Sequence, residues 1–247
     1  MNIRSRMLVV ALAALALVLL AGGCGGGGGT SSSEKMVDPA HADTLAHQAL
    51  LSEKDLPGTG WTVSKTDKFN DAGPSANTAA CKDIAARQAT AQAKSDPNRA
   101  GRAEKELQDD TGGPIPVSVE SEVDVFNDAA TPADSLKAYQ DALKTSNLAT
   151  CLTDTLNTQV GDPNTKIDTK SVAALTSAPA GGSAAAYDFT FTSQGQSFIL
   201  HFETYLFRYA NLGVTVTVNG LKADVTADLA KAAITKMQAN LDALPKQ

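Results

Sequence analysis

Apolar and polar residues repeat with two different periods along this chain, and the switches between them mark out helices and strands. Leu45, Ala49 and Leu50 suggest a short helix over 42–51, ended by the Asp55-Leu56-Pro57-Gly58 turn. Trp61 and Val63 then alternate with Thr62 and Ser64 as a first strand. Asn77 or Thr78 can cap a second helix running to about residue 94, with Ala80, Ile84 and Ala91 inward, Cys81 in its first turn and Asp96-Pro97-Asn98 as its stop. Residues 99–110 have no clean period, and their charges read as a solvated face. The clearest strand covers 115–126: Ile115, Val117, Val119, Val123 and Val125 point one way, while Ser118, Glu120, Glu122 and Asp124 point the other as a wet face.

Thr131-Pro132-Ala133-Asp134 opens another helix, with Leu136, Tyr139, Ala142 and Leu143 as its buried stripe and Cys151 just beyond its end. A weak strand signal covers 167–175. Three strong ones follow, in which Tyr187, Phe189 and Phe191 alternate with Asp188, Thr190 and Thr192, then Phe198, Leu200 and Phe202 with Ile199, His201 and Glu203, then Leu212, Val214, Val216 and Val218 with Gly213, Thr215 and Thr217. A last helix begins near Thr226, with Asp224 as a possible cap, and carries Leu229, Ala233, Ile234, Met237 and Leu241 at helical spacing. The expected fold is α+β: a single antiparallel β-sheet with helices packed against it and its threonine-rich side in water.

The N-terminus follows another rule. Arg4 and Arg6 precede an unbroken apolar run over 7–21, shorter than the roughly 20 residues a spanning helix needs. Leu20-Ala21-Gly22-Gly23-Cys24 resembles the bacterial lipobox, with Ala21 where the common form has Leu and Leu20 one position further out. That resemblance implies a signal peptide over 1–23 and an acylated Cys24 as the new N-terminus, hence a protein lipid-anchored to the cell membrane on its extracytoplasmic face. Residues 24–40 then form a Gly/Ser-rich flexible tether, the 15 or so of them through Pro39 reaching on the order of 20 Å. Residues 41–247 form one extracytoplasmic domain.

Charge and cysteine usage narrow the picture. Removing 1–23 takes away Arg4 and Arg6 and no acidic residue, so 19 basic residues face 27 acidic ones, a formal charge of −8. Such a surface has no footprint for nucleic acid and is repelled by anionic lipid, so membrane attachment must come from the acyl chains, at about 0.8 kcal/mol per buried CH₂. With Cys24 used for lipid, Cys81 and Cys151 remain as an even pair in an oxidising compartment, and a disulfide between them is expected.

The run 117–126 leading into Asn127-Asp128, the Ala-rich helix and Cys151-Leu152 resembles a group of actinobacterial lipoproteins and secreted sensor-like domains. The closing hairpin from Phe207-Arg208-Tyr209 to Val218 and the helix residues Asp228-Leu229-Ala230-Lys231-Ala232-Ala233 are similar to their last strand pair and helix, and to the extracellular sensor domains of mycobacterial serine/threonine kinases. The resemblance implies an antiparallel sheet with packed helices and no established enzymatic activity, and it carries over no catalytic residue.

Reactive chemistry is sparse. His41 and His47 lie near the tether, while His201 and Glu203, two apart on one strand face, could form an acid/base couple or merely the polar side of a pleat. Glu104, Glu106, Asp109 and Asp110 lack the ligand order of a calcium loop, and no nucleophile elbow, zinc helix or phosphate-cradling glycine loop is present. No cofactor or metal is expected. Tyr205, Phe207 and Tyr209 lie on the strand that carries His201 and, with Trp61, are the candidate ligand-binding residues; the other reading puts these rings in the core. The expected function is a non-catalytic, sensor-like lipoprotein binding a small envelope component. The alternatives are a structural or protein-interaction accessory of the envelope and, as a minor one, a hydrolase built on His201 and Glu203.

Overall fold

The computed structural model describes residues 36–69, 78–111, 115–160, 164–193, 195–221 and 223–246. The expected signal peptide, Cys24 and the expected tether through residue 35 lie outside the described residues. Seven strands, β1 (Trp61–Thr66), β2 (Arg99–Asp109), β3 (Val117–Phe126), β4 (Thr165–Leu175), β5 (Gly182–Ser193), β6 (Gln196–Tyr209) and β7 (Leu212–Gly220), form one antiparallel sheet in the order β1-β2-β3-β7-β6-β5-β4. Strands adjacent in the sequence are neighbours in the sheet except β3 and β4, and the link from β1 to β2 contains the helix Lys82–Ser95. Gly195, at φ 78°, turns β5 into β6, and Ala210, at φ 53°, turns β6 into β7. The last strand then enters between β3 and β6, pairing Val119 with Val218 on one side and Tyr205 with Val216 on the other. That insertion joins a three-stranded N-terminal half to a three-stranded C-terminal half.

Five helices pack on this sheet: α1 (Ala42–Ala49), α2 (Lys82–Ser95), α3 (Ala130–Leu143), α4 (Leu148–Val160) and α5 (Ala223–Ala243). The α+β class, the single sheet and its packed helices are as the periodicity implied, but the covering is two-sided. Leu45 and Ala46 of α1 and Leu229, Ala233 and Met237 of α5 bury one face, against Leu107, Val119, Val123, Val214 and Val216. Ile84 of α2, Leu136 and Tyr139 of α3 and Leu152 and Leu156 of α4 bury the other, against Tyr187, Phe189, Phe191, Leu200 and Phe202. Period-2 alternation requires the two apolar sets to point to opposite faces.

Several sequence expectations are corrected. Residues 99–110 are not a solvated charged face: they form β2, with Glu104 and Glu106 only 2% and 1% exposed. The polar face of β3 is dry, since Ser118, Glu120 and Glu122 are buried, as are Thr215 and Thr217 of β7. Cys151 does lie beyond the helix that ends at Leu143, but in the first turn of a further helix, α4, which the sequence pattern does not predict and whose threonine-rich sequence carries weak helical propensity. The second helix begins at Lys82, so Cys81 stands just ahead of it rather than inside its first turn.

Cys81 and Cys151 are joined by a disulfide, with their Cα atoms 4.7 Å apart, pinning the start of α2 to the start of α4. The buried Asn211 holds two residues distant in sequence, Val37 and Phe126, together. Its Oδ1 accepts from the Val37 N–H at 3.0 Å, and its Nδ2 donates to the carbonyls of Val37 at 3.3 Å and Phe126 at 2.6 Å. Among the described residues no helix is long and apolar enough to cross a membrane.

Two substitutions test this packing. A Cβ at Gly101 would meet the backbone N of Asp43 at 2.6 Å and the carbonyl carbon of Ala42 at 2.7 Å, so Gly101→Ala must push α1 off β2. A loss of about 1–3 kcal/mol is expected in urea denaturation. Reducing the Cys81–Cys151 bond, which closes a separation of 70 residues, should lower stability by roughly 4 kcal/mol from chain entropy, read as a lower denaturation midpoint with reductant.

Candidate functional site: a charged cleft under two helices

Cross-strand register sets up the site. Arg102 lies opposite Asp124, Glu104 opposite Glu122 and Glu106 opposite Glu120, all on one face of β2 and β3. Like charges directly opposite each other repel, and burial removes the water that would screen them. Two devices relieve this. The first is pairing: Lys65 of β1 bonds Glu104 and lies 3.2 Å from Glu120, Arg102 grips Glu122, and Arg99 Nε sits 2.8 Å from Asp124. The second is protonation. Burial pushes the Glu106 and Glu120 carboxyls upward, and burial followed by the nearby Asp124 charge pushes Glu122 up to about 7, against the pull of Arg102.

The end of α2 and the start of α3 roof one end of this row. Asp128 fixes α3 there by accepting from the backbone N–H groups of Ala130 at 2.9 Å and Thr131 at 2.7 Å. Between the helices runs a groove of about 380 Å³, walled by Lys94, Ser95, Asn98, Asp128, Asp134 and Ser135 among others. A neighbouring chamber of about 30 Å³ shares Ser95 and Ser135 with the groove. Its lining includes Arg99, Arg102, Glu122 and Asp124, with Pro132 and Leu206 on the apolar side. The groove falls within the size range of small-molecule sites and offers donors and acceptors of both signs.

The sequence-predicted residues lie elsewhere. Tyr205 and Phe207 are buried in the core beneath α5, on the sheet face opposite the cleft. Tyr209 donates to Asp242 Oδ1 at 2.6 Å with the Lys246 ammonium over its ring, and half-buried Trp61 donates from Nε1 to the Pro57 carbonyl at 2.9 Å. None of the four lines the groove or the chamber. Tyr205 does join a polar chain with His201. Its hydroxyl donates to Glu203 Oε2 at 2.6 Å, while His201 sits with Nε2 3.3 Å from Glu203 and Nδ1 2.7 Å from Asp188. Ser171 donates to the other Asp188 oxygen at 2.6 Å. With a carboxylate on each ring nitrogen, the imidazole is held in its protonated form: the Glu203 hydrogen bond raises its pKa most, against burial, and Asp188 adds to the rise. It is not placed to take a proton from Ser171, as a nucleophile's base would be.

His41 and His47 are likewise paired, with Asp38 and Asp67, each at 2.9 Å. No group of three His, Cys, Asp or Glu side chains suited to a metal ion occurs among the described residues. The cleft residues Arg99, Arg102, Glu122 and Asp124 were missed because their charge reads as solvent exposure. The usable signal was the mirrored period-2 spacing of charge in β2 and β3.

No known protein family matches the chain, and no curated protein does. Among solved structures it is similar to the extracellular domain of PknH from Mycobacterium tuberculosis, at 13% identity and a TM-score of 0.46, covering 83% of this chain and 99% of that one. It is also similar to PA94, a protein of unknown function from Pseudomonas aeruginosa, at 15% identity and a TM-score of 0.25, covering 58% of this chain and 83% of that one.

The buried carboxyls dictate an unusual pH response. Glu122 holds a proton in the folded state up to about pH 7 that it releases above 4.5 when unfolded, so its contribution is complete below 4.5 and disappears as pH rises through 7. His201 has the same sign: its contribution is complete below 6.5 and is lost as pH rises through its elevated folded value. Urea midpoints should therefore fall between about pH 5 and pH 7.5, by about 2 kcal/mol from Glu122, and Glu122→Gln should flatten that segment of the curve.

Proposed function

We propose that this chain is a lipid-anchored, extracytoplasmic, sensor-like domain that binds a small polar envelope component in the groove between α2 and α3 and performs no chemistry on it. The groove of about 380 Å³ carries this reading, because it is polar and shares Ser95 and Ser135 with a smaller space lined by the charge cluster that neighbouring strands hold in register. The basic and apolar N-terminal segment ending at Cys24, together with the Cys81–Cys151 disulfide, supports an oxidising location outside the cytoplasm. A multiply acylated Cys24 would hold the protein at the membrane.

A second reading, a protein-interaction accessory, has one observation in its favour. Ile199, Leu221 and Val225 are 52%, 41% and 47% exposed where β6 starts, β7 ends and α5 begins. Isolated apolar residues on a surface are common, which leaves the groove as the stronger feature.

Both parts of the proposal are measurable. Mass spectrometry of natively expressed protein should find an N-terminal, acylated Cys24, and Cys24→Ala should move the protein out of the membrane fraction; a Met1 terminus with bare Cys24 would refute the anchor. In thermal-shift screening against small envelope glycans and lipid headgroups, a binder should raise the melting temperature by a few degrees at saturation, and Ser135→Leu, which narrows the groove, should remove the shift.

A further inference from the structure

The chamber neighbouring the groove has a composition that narrows the ligand, given the groove reading above. Its charged groups already bond one another: Arg102 with Glu122, Arg99 with Asp124, and on the groove wall Asp128 with the first turn of α3. An incoming ammonium or carboxylate would have to compete with one of these half-buried pairs. A hydroxyl donates and accepts at once and can join such a lining without displacing a charge. Size points the same way. A space of about 30 Å³ admits a group of about water size, and Ser95 and Ser135, two hydroxyl-bearing side chains, line both it and the groove. Pro132 and Leu206 on the apolar wall suit the C–H face of a ring.

We infer that the groove takes a neutral polyhydroxylated ring, a saccharide of one or two units, and that the chamber reads one of its hydroxyl or hydroxymethyl groups between Ser95 and Ser135. The remaining hydroxyls face Lys94, Asn98 and Asp134 along the groove. Because the rest of the ligand stays in the wider groove, substitution there is tolerated, whereas loss of the inserted hydroxyl forfeits its hydrogen bonds to the chamber lining.

Isothermal titration of the detergent-solubilised mature protein tests this, with glucose, galactose, N-acetylglucosamine and trehalose set against glycine betaine and inorganic phosphate. At least one saccharide should bind saturably, and betaine and phosphate should not. Among monodeoxy derivatives of the binder, one position should cost tenfold or more and the others a few-fold. Ser135→Leu should weaken binding at least tenfold and Ser135→Ala only a few-fold, with thermal unfolding of both variants checked to confirm the fold. Binding of betaine or phosphate without any saccharide would overturn the hydroxyl assignment and leave the groove as a binding site. Equal losses at every deoxy position, or indifference to Ser135→Leu, would overturn the chamber's role. Failure of all six probes would overturn this inference together with the groove reading on which it rests.

Discussion

The structure depends on the entry of β7 between β3 and β6. Without those two ladders the chain would be two separate three-stranded sheets, β1-β2-β3 and β6-β5-β4. With them, Val214, Val216 and Val218 become the centre of one apolar face, and the two halves can be covered from opposite sides. The cleft follows from that offset. The helical layer of α2, α3 and α4 lies over the C-terminal half, the charged row lies on the N-terminal half of the same face, and the chamber is lined by both.

Burying a row of carboxylates is costly, and replacing such groups with hydrophobic residues often stabilises a protein. Here the row is held by strand register, by Lys65, Arg99 and Arg102, and by retained protons. The arrangement fixes side-chain positions within a floor that would otherwise be flat valine and leucine. It also makes the floor's charge depend on pH in the neutral range, through Glu122. A polar site on two paired strands is better defined than one on loops, because each residue's neighbours are set by the ladder.

The legible parts of the sequence were those where one period runs unopposed. The alternation in β3, β5, β6 and β7 and the helical stripe of α5 could be read directly, and the two remaining cysteines announced their bond. β2 was not legible, because Arg102, Glu104 and Glu106 mimic a solvated surface, and only the facing residues of β3 and Lys65 of β1 show that they are buried. The threonine-rich α4 was missed because packing beside the disulfide, rather than propensity, makes it a helix. Tyr205 and Phe207 looked like a ligand platform because their density on β6 exceeded what one layer needs; in fact they pack under α5. The cleft draws on residues from Ser95 to Thr215, and no local pattern spans that distance.

The clamp made by Asn211 has a mechanical side. Val37, the residue it holds, is where the chain arriving from the N-terminus meets the sheet, and the clamp fastens it to the end of β3 and the turn between β6 and β7. Tension applied ahead of Met36 is therefore delivered to the middle of the sheet. Central strands resist such loading in shear, many hydrogen bonds at once, whereas a pull on the outlying β1 or β4 would unzip the sheet one bond at a time.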